Sequence, residues 1–183
     1  MAGVLDKIEL KDCISRRVTE YYVANPPAAE QITHTQSVAA YTRLIAAGEG
    51  WEYGRVELVE MAAWLHDIGC PVARKLYGNS LPVHQQEEGR KLVAGWLREE
   101  PRLSEEEKGW LADVVGGHHR FDAARELHFE PLFEADLIVN LLEGYYQQSQ
   151  AAHFYDKMMT TETGRMLFRS LFFGTEEGKD KPK

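Results

Sequence analysis

The pair His66-Asp67 closes an apolar run, Ala62-Ala-Trp-Leu-His-Asp-Ile-Gly69. An imidazole and a carboxylate side by side in such a run both lose water, and that is costly unless something pairs with them. A divalent metal that accepts a lone pair from each is the most economical partner. Further candidate ligands stand at His34, His84, His118 with its neighbour His119, and Asp136. Of the seven histidines, His128 and His153 alone fall outside this series. Asp136 lies among Ala135, Leu137, Ile138 and Val139, where an unpaired carboxylate is expensive and ligation is favoured. Imidazole plus carboxylate suits Fe, Mn, Co, Ni or Zn better than Ca or Mg, which prefer all-oxygen shells.

The ordered series His, His-Asp, His, His, Asp resembles the HD-domain superfamily of metal-dependent phosphohydrolases. The local contexts are similar too: His34-Thr-Gln-Ser-Val38, Leu65-His-Asp-Ile-Gly69, His84 ahead of Glu88-Gly89, Val115-Gly-Gly-His-His119 and Glu134-Ala-Asp-Leu-Ile-Val-Asn140. The likeness covers roughly residues 28 to 150. It implies that His34, His66, Asp67 and Asp136 hold one metal. It implies further that Asp67 bridges to a second ion bound by His84 and His118, so the expected cofactor is a divalent transition metal, two ions in all.

His118 and His119 compete for one place, because successive helix residues point about 100° apart. Val115, three residues before His118, favours His118, while Gly116 and Gly117 allow the helix to distort there and leave His119 as its substitute. Asp67 as bridge and Lys75 as phosphate clamp are the residues expected at the reacting group. Arg74 and Arg120 are the other candidate substrate-binding cations, and each of the three also reads as an ordinary surface charge. The resemblance implies hydrolysis of a nucleotide or other small phosphorylated metabolite by a metal-activated hydroxide. Two alternatives stay open: a mixed-valent di-iron oxygenase, a branch that uses the same ligand set, and a metal-bearing sensor without turnover. After His119 the chain reads Arg-Phe-Asp, without the Gly-Tyr-Pro extension of the cyclic-dinucleotide branch.

These residues must be held by helices, since helical periodicity dominates and strand-like alternation is nearly absent. The spacing predicts helices over about 4–23, 28–47, 55–67, 81–99, 104–118 and 131–146, followed by two short ones within 151–173 broken near Thr161–Gly164. On the second, His34 shares a face with Val38, Tyr41, Leu44 and Ile45. Gly69 and Pro71 end the third just after His66-Asp67. His84 falls in the first turn of the fourth, with Glu88 placed to orient it. Ser104-Glu-Glu-Glu107 is a capping box. The expectation is an all-α single domain over 1–183, with its metal-binding core at about 28–150 and a disordered charged tail from Gly174 to Lys183.

Composition narrows the partners. At 183 residues the chain is long enough for one substantial core. The net charge of −8 argues against a nucleic-acid backbone or an anionic membrane surface, so the expected partner is a small phosphorylated molecule, with a homodimer allowed. Cys13 and Cys70 make no disulfide framework. The N-terminus lacks a signal-peptide core and no apolar run reaches bilayer length, which gives a cytoplasmic expectation.

Overall fold

In the computed structural model, residues 2–174 are described, and among them helices are the only regular secondary structure. The chain runs α1 (Ala2–Ala24), α2 (Ala28–Gly48), α3 (Tyr53–Leu65), α4 (Cys70–Tyr77), α5 (Pro82–Leu97), α6 (Glu105–Gly117), α7 (Phe121–Glu126) and α8 (Glu130–Leu142). A single 3₁₀ turn at Gln148–Gln150 leads into α9 (Ala151–Lys157) and α10 (Glu162–Phe172). The all-α class expected from periodicity is the class observed. The tail expected to be disordered lies, beyond Gly174, outside the described residues.

The central element is α3. It is buried nearly all round, from Val56 through Val59, Met61, Ala62 and Ala63 to Leu65, as a helix enclosed by others must be. It packs on α1, α2, α6 and α8. Two acids on it are buried as well. Glu57 meets Arg43 of α2 at 2.6 Å and Lys11 of α1 at 3.3 Å, and Glu60 shares both cations. These ion pairs offset the cost of burying the two charges and tie α1 and α2 to α3. On α2 the buried set is His34, Thr35, Val38, Ala39, Thr42, Ile45 and Ala46. Leu44, expected on the His34 face, is instead 57 % exposed.

Two short helices were not expected from the spacing, α4 and α7. Pro71 stops a helix only from its interior. In the first turn its missing N–H costs nothing, so Gly69-Cys70-Pro71 opens α4 after α3 has ended. Gly78, at φ 72°, then closes α4 in the left-handed region. Gly144, at φ 75°, ends the α8 segment short of the Tyr146 boundary. The break before α10 falls at 158–161, where the Thr161 hydroxyl caps the new helix by accepting from the Gly164 N–H.

Gly69 also sets how closely the site elements approach. A Cβ there would overlap the backbone of α5 at Gln85 and Gly89, and a Cβ at Gly89 would press on Val115 of α6. Glycine at both positions lets the turn after α3, the start of α5 and the end of α6 converge on one point.

Candidate metal centre

Four segments deliver the site. His34 comes from α2, His66 and Asp67 from the turn after α3, His118 and His119 from the end of α6, and Asp136 from α8. His66 Nδ1 donates to the Ala63 carbonyl at 2.6 Å and His118 Nδ1 to the Val115 carbonyl at 2.9 Å. His34 Nδ1 lies 2.9 Å from Glu143 Oε2. A carbonyl only accepts, so each of the first two rings carries a hydrogen on Nδ1 and turns Nε2 inward. Fixing the outer ring nitrogen in this way orients and tautomerises metal-binding imidazoles.

The inward atoms converge. His34 Nε2 lies 3.3 Å from His66 Nε2, 3.2 Å from Asp136 Oδ1 and 3.8 Å from Asp67 Oδ2. His66 Nε2 is 3.7 Å from the same Asp67 oxygen and 3.9 Å from Asp136 Oδ1. Atoms bound about 2.1 Å from one ion stand roughly 3.0–3.5 Å apart, so these spacings approach those of a ligand shell. The other Asp67 oxygen, Oδ1, faces His118 Nε2 at 3.5 Å, and His119 Nδ1 lies 3.8 Å from Asp136 Oδ2. The result is two groups, His34/His66/Asp67 and Asp67/His118/His119, each compact enough for one ion, with Asp67 common to both.

The donors fit a cation on a further count. Asp67 Oδ1 and His118 Nε2 are fully enclosed and face each other at 3.5 Å, too far for a good hydrogen bond and with nothing nearer to satisfy either atom. The buried carboxylates shift the protonation of the imidazoles around them. Burial opposes a charged His34, yet Asp136, Asp67 and Glu143 outweigh it and raise its pKa to about 9. His118 shifts upward against burial for the same reason, its partner being Asp67. His66 is lowered by burial, and burial together with His118 pushes His119 down to about 4. Burial works against the Asp67 charge, but the surrounding imidazoles hold its carboxyl well below the usual range.

His84, expected in the second group, stands outside both. It sits in the first turn of α5, its Nδ1 2.9 Å from Asn79 Oδ1 and its ring stacked on Tyr77 at 4.1 Å. Glu88 does not orient it, because Glu88 accepts from Tyr77 Oη at 3.1 Å and from Lys91 at 2.9 Å. His119 takes the place the series assigned to His84. Both neighbours reach the centre because α6 stops at Gly117, after which the 100° step of a helix no longer holds. Gln85 fixes the His119 ring, with its amide nitrogen 2.7 Å from His119 Nε2 and its oxygen 2.7 Å from Cys70 Sγ. Ligation through His119 Nδ1 requires this amide turned over, so that its oxygen accepts from Nε2–H.

Of the expected cations, Lys75 is exposed on α4, and Arg120 is exposed and paired with Asp122. Arg74 is linked to the centre through Gln31. Both its terminal nitrogens donate to Gln31 Oε1 at 3.1 Å, and Gln31 Nε2 lies 3.4 Å from Asp67 Oδ2. Asn140 donates to Asp136 Oδ1 at 2.8 Å. Gln31, Gln85, Asn140 and Glu143 are the supporting residues that sequence reasoning did not assign. Only Asn140, four residues after Asp136 on one helix, carried a readable signal.

The family model described as the HD domain matches residues 32–165. No curated protein and no solved structure matches the chain.

Proposed function

Because the chain belongs to the HD-domain family, whose members are mostly metal-dependent hydrolases, we propose that it hydrolyses a phosphate monoester of a small metabolite at a two-ion centre. The observation that supports this reading most is the pair of His/Asp groups sharing Asp67, whose enclosed Oδ1 meets His118 Nε2 only at 3.5 Å. His34, His66, Asp67 and Asp136 would hold the first ion, and Asp67, His118 and His119 the second. When bound, transition-metal dications acidify a water and neutralise phosphoryl charge.

The protein's own residues do the rest. Asp67 turns one oxygen to each group and so is the residue the two groups share. Arg74, anchored on Gln31 beside Asp67, neutralises the equatorial phosphoryl oxygens, the role first expected of Lys75. Water adds to phosphorus as the bond to the alkoxy oxygen breaks, and the alcohol leaves with a proton. Enclosure of Asp67, His66 and His118 by α3, α6 and α8 keeps bulk water from screening these charges.

Phosphate release from a panel of nucleotides, sugar phosphates and simple esters, with Mn, Fe, Co, Ni or Zn supplied in turn, tests the reading. Arg74→Ala should lower kcat/KM by a factor equivalent to about 2–4 kcal/mol while leaving metal content unchanged. Absence of release across the panel, with substrate-dependent oxygen uptake by the iron form, replaces hydrolysis by oxygenase chemistry.

A further inference from the structure

A cavity of about 250 Å³ opens directly onto His119 and Asp136. Its walls come from α7, α8 and the C-terminal segment. Phe121 and Phe133 form one aromatic pair, centroids 5.6 Å apart and tilted 48°, and Tyr146 and Phe154 form a second, 5.1 Å apart and near perpendicular at 66°. Leu137 and Met158 complete the apolar lining. Apart from the two candidate ligands, Gln150 and Tyr146 are the lining residues that carry a polar side-chain group, and neither Lys nor Arg lines the cavity.

We propose that this cavity receives the organic group of the ester, and that this group is an uncharged aromatic ring. The proposal rests on the hydrolase reading for what happens at phosphorus, and on the cavity alone for what binds beside it. Size permits one ring with a short linker, since an apolar cavity of on the order of 150 Å³ holds benzene. Aromatic walls meet such a ring edge to face or offset, the arrangements its charge distribution favours. A sugar would bury several hydroxyls with too few partners, at a cost for each. A di- or triphosphate chain would find no cation in the cavity. Recognition of the organic group is therefore shared by α7, α8 and the segment from Tyr146 to Met158, while the His/Asp groups handle the phosphoryl group. Glu134, next but one to Asp136, locks that segment in place by accepting from the backbone and hydroxyls of Thr160 and Thr161.

The test uses two primary alkyl esters of similar leaving-group basicity, benzyl phosphate and glycerol 3-phosphate, with the metal-loaded protein. The kcat/KM ratio should favour benzyl phosphate at least tenfold. Met158→Trp, which fills the cavity, and Gln150→Trp at its exposed rim should each lower that ratio at least tenfold. Uridine 5′-monophosphate, whose ribose stands between ring and ester, should be the poorer substrate of the two aromatic esters, and a kcat/KM above that of benzyl phosphate overturns the short-linker assignment. A readout free of turnover is benzyl alcohol binding to the protein by saturation-transfer NMR, expected in the parent and lost in Met158→Trp. A ratio near one that neither variant moves, or alcohol binding unchanged by both variants, overturns the proposal. Alcohol binding that Met158→Trp abolishes, with no ester hydrolysed, keeps the cavity assignment and removes the hydrolase reading instead.

Discussion

Asp67 turns one oxygen toward His34 and His66 and the other toward His118, so a single side chain is common to both candidate ion sites. That geometry separates the histidines by experiment. Asp67→Ala should lose both ions, and His118→Ala or His119→Ala about one. His84→Ala should lose none, because its ring is occupied by Asn79 and Tyr77. Elemental analysis of protein purified without added metal measures all four, and a lost ion in His84→Ala would return that residue to the centre. The convergence of His34, His66, Asp67, His118 and Asp136 is legible in the sequence through the ordered series that resembles the family, and for His66, Asp67 and Asp136 also through an apolar context where an unpartnered polar group is costly. His119 is not legible as a co-facing residue, because a helical wheel assumes that α6 continues, and it stops at Gly117. Gln31, Gln85 and Glu143 are equally hidden. They act across the fold on partners 36, 34 and 109 positions away, distances that no local spacing encodes.

Helices that periodicity reveals are the long ones with a buried face, α1, α2, α3, α5, α6 and α8. α7, at six residues, is too short to show a period, and α4 is masked because Pro71 and Gly69 read equally as an ending and as a beginning. The link between α8 and α10 was equally invisible, since it depends on one carboxylate meeting a backbone turn. Glu134 is fully buried and accepts from Thr160 N at 2.5 Å, Thr161 N at 2.9 Å and both hydroxyls. Removing it strands two backbone donors and opens a void. Glu134→Ala should therefore cost about 3 kcal/mol, or a fall in Tm of roughly 10 °C for a chain of this size. Glu134→Gln, which keeps one accepting oxygen, should cost less than half as much. Thermal denaturation followed by circular dichroism measures both, and equal Tm values for Glu134→Ala and the parent would show that α10 is held by its apolar face alone.

For the whole molecule, α1 belongs to the same core as the helices that carry the site, although the family match begins only at residue 32. Leu10, Ile14, Val18 and Tyr22 are buried in the cluster that also holds Met61, Ala62 and Leu65, and Lys11 bridges to Glu57 and Glu60. Around that core the chain carries a net charge of −8, so an anionic ester approaches against the protein's overall field. At about 0.01 M salt that field extends roughly 30 Å, beyond the molecule's own surface, whereas at about 0.15 M it falls away within roughly 8 Å. Screening should remove the long-range repulsion while sparing the enclosed attraction at Arg74 and the candidate ion sites. The value of kcat/KM for a phosphate monoester should then rise roughly two- to fivefold between those salt concentrations, the reverse of the trend for a protein that binds nucleic acid through its phosphates. Initial rates at subsaturating substrate across a sodium chloride series measure it. A steady fall with salt would mean that local cations govern the approach as well as the reaction, and that the acidic surface does not reach the path the substrate takes.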